Sequence, residues 1–465
     1  MNMRLGILFS ALVLLGHSGL SEEKGVPLPK PQQLTWQNAE LAAVFHYDLH
    51  VFDGKRYNQN QNHITPIPDY NIFNPTEYNV DQWIRSIKAA GFKIAILTAT
   101  HETGFALYQS DVNPYCMKAL KWRDGKGDVV RDFVDACRRH GILPGVYIGI
   151  RWNSFLGIYS FKMPNDHSQV QRNRQNYYNR MCEGMTRELF SRYGKLAMVW
   201  DDGGATSPEQ GGPDILPIVD RYQKDILFYH NHQRSDIRWG GTETGTVSYP
   251  CWGNFPYPHA DGGRERRIAA NGNRLLRFGD PNGKYYIPAM ADTPLRGGRG
   301  RHEWFWEPGD ENKVYSLGTL MRMYRDSVGR NATLIMGLTP DPRGLLPEGD
   351  AKRLAEWGAE IRRLYGTPVK EAKAVGKQCS FQFDKPCSLS HIVIEEDIAK
   401  GERVRSYQIE ACMDGKWQTI RRGSCIGHKR IEWLPRPLTV TAVRFTVTAS
   451  VMEPRVSRVA LFSKR

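Results

Sequence analysis

Residues 79–100, "NVDQWIRSIKAAGFKIAILTAT", hold a helix and the strand that follows it. Asn79 is an Asx-type cap, Gly91 is a stop, and 93–99 is an apolar run of strand length. Residues 127–141, "GDVVRDFVDACRRHG", repeat the pattern with basic residues in the last turn, where the helix dipole favours them, and lead into an apolar run at 143–150. Further candidate strands occupy 42–47, 196–201, 225–229, 237–240, 285–289 and 333–337. Strands alternating with helices build parallel βα units, and eight of them predict an α/β fold of the (β/α)8-barrel type.

The pattern changes near residue 366. "LYGTPVKEAKAVGKQ" at 364–378 has the composition of a linker, and beyond it "SFQF", "SHIVIEED", "RSYQIEAC", "WQTIRR", "AVRFTVTAS" and "RVALFS" alternate without helical period. Such runs predict a small C-terminal β-sandwich domain. A chain of 465 residues exceeds one ordinary core, so the expected division is a signal peptide at 1–21, a barrel at 22–366 and a sandwich at 367–465.

The leader carries Arg4, an apolar run from Leu5 to Leu15 and small residues before Glu22, the pattern of a secretory signal and too short for a membrane span. Export to the periplasm or the extracellular space is expected. Lys and Arg exceed Asp and Glu by 63 to 49, but they lie in scattered pairs without a long block or a zinc-finger or RNP spacing, so nucleic acid is not an expected partner, and no other stretch is long and apolar enough to predict a membrane span. The eight cysteines lack CxxC spacing. Export would permit local pairs, Cys379 with Cys387 or Cys412 with Cys425, and free buried thiols fit equally. "NAT" at 331–333 matches a glycosylation sequon, but it opens a buried strand.

In a barrel of this kind the chemistry gathers at the C-terminal strand ends. Those ends supply His46, His101 with Glu102, Tyr147 with Trp152, Trp200 before Asp201 and Asp202, then "RWGGTETG" with Arg238 and Glu243, and "RHEWFWEP" with Trp304 and Trp306. Taken singly, a strand-end aspartate is an ordinary turn former and a histidine an ordinary core residue. Together they offer what a sugar site needs: two carboxylates, aromatic faces and polar groups for hydroxyls. Asp202 and Glu243 can form the pair, one ionised in a polar turn and the other near Trp239 and Trp252.

These residues resemble the α-L-fucosidases of glycoside hydrolase family 29. The resemblance runs through "AVFHYDLHVFDG", "FNPTEYNVDQWIRSIKAAGFKIAILTATHETGF", "WRDGKGDVVRDFVDACRRHGILPGVYIG" and "SVGRNATLIMGLTPDPRGLL", and reaches "VIEEDIAKGERVRSYQIEA" in the C-terminal part. The family's W-x-D-G pattern falls on Trp200 to Gly203 and implies Asp202 as nucleophile. Arg238 to Gly245 resembles the R-W-x-G-x-E-x-G segment of the α-1,3/1,4 subgroup and implies Glu243 as acid/base. A retaining exo-α-L-fucosidase acting on a fucosylated oligosaccharide or glycoconjugate, with no cofactor or metal, is the implied activity.

Four positions depart from the family pattern: Glu102 replaces the second of two histidines, Arg56 and Tyr57 stand where E-W is usual, and Met290 stands where the subgroup carries a glutamate. A lost hydroxyl contact changes selectivity by several powers of ten. Fucose in an unusual linkage, L-galactose and a methylated fucose all fit these departures. Two other readings stay open. One is a binding protein on a decayed enzyme scaffold; the other is a metal-dependent hydrolase using His46, His101 and Asp202, for which no HExxH spacing speaks.

Overall fold

The computed structural model describes residues 25–161, 168–202, 207–231, 233–259, 273–297, 304–310 and 313–463. The expected leader at 1–21, and Gly203 and Gly204 of the "WDDGG" turn, lie outside these residues. Eight parallel strands form the barrel: β1 (Leu41–Phe45), β2 (Ile94–Thr100), β3 (Leu143–Ile148), β4 (Met198–Trp200), β5 (Leu227–Tyr229), β6 (Arg238–Trp239), β7 (Ala289–Pro294) and β8 (Ala332–Leu338). Their order is β5-β4-β3-β2-β1-β8-β7-β6, so the ladder follows the chain around the barrel and, among the described residues, leaves one unpaired seam, between β5 and β6.

Local chemistry sets these elements. The Asn79 side chain accepts from the Gln82 backbone N–H at 3.1 Å, and Gly91 closes the helix Val80–Ala90 at φ 96°. Asp128 caps the helix Val129–His140 through the Arg131 N–H at 2.8 Å. The apolar stripes of both helices are buried on the strands, and β1, β2 and β8 are buried along their whole length, as parallel strands covered on both faces must be.

Two expectations need correction. The run at 285–289 is not the seventh barrel strand: Tyr285–Tyr286 pairs antiparallel with Asn254–Phe255 in a separate hairpin, and the barrel strand is Ala289–Pro294. That strand carries Asp292 and Thr293, so apolarity did not reveal it. The stretch 370–376, expected as linker, is a strand; its residues are mostly exposed, which removes the alternation that would have marked it.

The C-terminal sheet contains β9 (Lys370–Gly376), β10 (Gln378–Glu396), β11 (Val404–Met413), β12 (Lys416–Gly423), β13 (Arg430–Ser450) and β14 (Val456–Ser463), in the antiparallel order β9-β14-β10-β13-β11-β12. The register shifts in β10 after Gln382 and Leu389, where the long strand bends, and the layers enclose a core that includes Leu389, Ile409, Val443 and Phe445. Asn331, the sequon residue, is buried at the junction with the barrel. Its side-chain N–H₂ donates to the Glu402 carboxylate at 2.6 Å and the Cys251 carbonyl at 2.9 Å, so this asparagine is occupied by structure. All eight cysteines are free thiols.

Candidate active site

Asp202 stands two residues beyond the end of β4. The Tyr147 hydroxyl, from the neighbouring β3, donates to its Oδ2 at 2.7 Å. Burial and then the charge of Asp202 push the Tyr147 phenol well above its ordinary range, so it remains a donor. Asp201 turns the opposite way and accepts from the Asn231 amide, beyond β5, at 3.2 Å; burial raises its carboxyl well above the usual range. Adjacent strand-end carboxylates thus face different neighbours, as pleat alternation requires.

Glu243 lies in the loop after β6, where its Oε2 accepts from the Trp304 indole N–H at 3.2 Å. Trp304 rests on β8 at a place only glycine permits, since a Cβ on Gly337 would come within 2.5 Å of the indole ring. The Trp304 ring lies 5.1 Å from His46, whose ring is 5.4 Å from His101 and 6.1 Å from Tyr147. His101 stacks on Tyr147 at 4.9 Å. Contacts therefore run without a break from Asp202 through Tyr147, His46 and Trp304 to Glu243, with Trp200 adjoining at 5.8 Å from Tyr147. Burial lowers the His46 pKa to about 3 and holds His101 well below its usual value, so both imidazoles are neutral at pH 7 and can donate or accept.

Not every nominated residue belongs to this ring. Arg238 is fully buried, and its guanidinium donates to the carbonyls of Leu276 (3.0 Å) and Ile287 and to the Cys251 thiol (3.4 Å), a structural role that leaves it no reach to a sugar. Trp252 packs beneath Arg405 of the sandwich at 5.0 Å, at the domain junction and not beside Glu243. Trp306 is half-buried on the barrel core. Trp152 stacks on His63 at 4.1 Å and adjoins the site through Glu102.

The sequence reading missed Asp292, Phe305, His50 and His63. Phe305 lies in the quoted "EWFWEP" and centres the cluster, 4.2 Å from His50 and 4.8 Å from His101. Asp292 accepts from the Trp239 indole N–H at 3.0 Å. Among the described residues no three His, Cys, Asp or Glu side chains converge as a metal site would need.

The α-L-fucosidase family model matches residues 29–249, a span that holds both Asp202 and Glu243. A crystal structure from Bacteroides thetaiotaomicron, assigned to the α-L-fucosidases, superposes with a TM-score of 0.92 at 57% identity over 95% of this chain and 100% of its own. The chain belongs to the α-L-fucosidases of glycoside hydrolase family 29. A family 29 member from a rumen bacterium matches at 28% identity and TM-score 0.78 over 95% of this chain and 78% of its own. Alpha-L-fucosidase 1 of Arabidopsis thaliana is 25% identical over 99% of this chain and 94% of its own.

Within this fucosidase the departing residues form their own network. Glu102 is buried, and its Oε1 accepts from the Tyr57 hydroxyl at 2.6 Å and lies 3.0 Å from His63 Nε2. Arg56 donates to the buried Glu307 at 3.3 Å. Met290 lies fully buried in β7, two residues before Asp292. The replaced positions therefore bond to one another or to the core.

Proposed function

We propose that Asp202 and Glu243 are the catalytic pair of this α-L-fucosidase, with Asp202 the nucleophile and Glu243 the acid/base. The observation that carries this reading is the unbroken line of contacts that joins the two carboxylates through Tyr147, His46 and Trp304. In the first step the Asp202 carboxylate bonds to the anomeric carbon while the bond to the leaving oxygen breaks, and Glu243 gives that oxygen a proton. In the second, water attacks the same carbon, Glu243 takes its proton, and Asp202 departs. Fucose leaves with its anomeric configuration retained.

The neutral imidazoles of His46 and His101 and the faces of Trp304 and Trp200 are suited to a deoxy sugar, which presents both hydroxyls and an apolar edge. The segment "RWGGTETG" favours terminal α-1,3/1,4-linked fucose as the substrate, released from an oligosaccharide or glycoconjugate. Export through the leader at 1–21 would deliver the enzyme to glycans outside the cytoplasm.

The test uses purified protein with an aryl α-L-fucoside and with fucosylated oligosaccharides. Asp202→Ala should abolish turnover. Glu243→Ala should fail on the oligosaccharides and regain turnover of the aryl fucoside with added azide. Sugar binding with no hydrolysis by the native protein would refute the assignment and leave a binding protein.

A further inference from the structure

The loop that carries Glu243 is held from two sides. Toward the barrel it is fastened to β7: the Gly240 N–H donates to the Met290 carbonyl and the Gly245 N–H to the Asp292 carbonyl, each at 2.9 Å. Gly245 sits at φ 67°, and a Cβ there would approach the Thr293 side chain to 2.8 Å, so glycine is what lets the loop lie this close to β7. Beyond Gly245 the chain leaves the barrel wall and joins no strand until Asn254–Phe255.

In between it is bonded at every second residue. The Val247 N–H donates to the Asp326 carbonyl at 2.9 Å, in the helix Leu317–Ser327, and the Val247 carbonyl accepts from the Arg330 guanidinium at 2.7 Å. The Cys251 carbonyl accepts from the Cys425 thiol of the sandwich at 3.2 Å. Tyr249, midway, reaches into the sandwich itself. Its hydroxyl accepts from the Ser424 N–H at 2.9 Å and donates to the Cys425 carbonyl at 3.1 Å, and the Arg430 guanidinium lies over its ring at 3.9 Å. The Tyr407 hydroxyl stands 3.4 Å away and is itself bonded to Glu432. A Cβ on Gly423 would come within 2.7 Å of the Tyr249 hydroxyl, so the end of β12 leaves the space that this tyrosine fills.

We propose that Tyr249 is a positioning residue, through which the C-terminal sandwich sets the placement of the Glu243 loop. This rests on the assignment of Glu243 as acid/base. The two groups that meet the Tyr249 hydroxyl belong to the backbone just after β12, which cannot turn aside as a side chain can, and Arg430 is itself held by Glu432 at 2.9 Å. The anchor is therefore stiff, and only a short stretch bonded at Val247 separates it from Gly245. A proton donor must come within about 2.6–3.2 Å of the leaving oxygen, and a misplacement of ~1 Å costs up to ~100-fold in rate. Slack at Tyr249 thus reaches Glu243 as a loss of proton transfer, while Asp202, on β4 across the barrel, keeps its place.

The experiment compares kcat/KM for a fucosylated oligosaccharide, whose leaving oxygen needs a proton, with that for an activated aryl fucoside, which needs none. Tyr249→Phe keeps the ring beneath Arg430 and removes the hydroxyl. It should lower kcat/KM on the oligosaccharide by about tenfold, through kcat with KM kept, and leave the value for the aryl fucoside unchanged. Gly423→Ala, made wholly within the sandwich, crowds the same hydroxyl and should give the same selective loss. A folded Tyr249→Phe enzyme with both values unchanged, or with equal losses on the two substrates, overturns the proposal. Gly423→Ala is read in the same way and decides alone if Tyr249→Phe does not fold. Failure of the underlying assignment would look different: Glu243→Ala would keep its activity on the oligosaccharide.

Discussion

The Tyr147 hydroxyl is bonded to Asp202 at 2.7 Å, from a side chain one strand away in the barrel ladder. A hydrogen bond to a charged group is worth about 1.5–3 kcal/mol, and this one favours the ionised nucleophile. Tyr147→Phe should therefore lower kcat by roughly 10- to 100-fold. Steady-state kinetics on an aryl α-L-fucoside check this; an unchanged kcat would detach Tyr147 from the nucleophile.

Trp304 makes the matching contact on the other carboxylate. Trp304→Phe keeps the ring that packs on His46 and removes the donor to Glu243. Its loss should fall mainly on substrates whose leaving group needs a proton. We expect a kcat/KM decrease of about tenfold or more for a fucosylated oligosaccharide and a smaller one for an activated aryl fucoside. Equal losses on both would assign Trp304 to sugar packing alone.

Glu102 tests the departures from the family pattern. Its carboxylate is the partner of both Tyr57 and His63. Glu102→Ala leaves those polar groups without it in a buried place, at a cost of about 1–3 kcal/mol, whereas Glu102→Gln keeps an acceptor. Thermal unfolding should rank native protein above Gln and Gln above Ala. A stability order with Ala unchanged would contradict the network.

His50 gives a prediction with a definite sign. It is buried, no partner among the described residues meets either ring nitrogen, its ring lies 4.2 Å from Phe305, and burial followed by His46 lowers its pKa to about 3. The unfolded chain takes up a proton near pH 6.5 and the folded one does not, so His50 favours unfolding increasingly as pH falls from 6.5 toward 3. In His50→Phe the urea midpoint should fall less between pH 7 and pH 5 than in the native protein. Parallel curves would show that His50 keeps its proton in the fold.

The barrel was legible where apolar runs and caps coincide, as at Asn79, Gly91 and Asp128. It was misread at β7, because a strand that lines the pocket carries Asp292 and Thr293 while the neighbouring hairpin carries the tyrosines. The same displacement hid Asp292, since a strand ended at residue 289 leaves it in a loop. Arg238 and Trp252 were nominated from their nearness in sequence to Glu243, and only tertiary structure shows their side chains turned toward the hairpin and the sandwich.

Glu402 belongs to the sandwich yet is wholly enclosed, and both its oxygens accept from the Gly253 N–H at 2.9 Å while one also meets Asn331. Gly253 stands two residues beyond Cys251, the thiol that Arg238 grips from the strand leading to Glu243. An enzyme shortened after residue 365 would open this seal to water and take the Glu402 carboxylate from the Gly253 N–H and the Asn331 amide. The C-terminal module is therefore an internal strut of the hydrolase, and trimming it away in search of a minimal fucosidase should forfeit activity together with the fold.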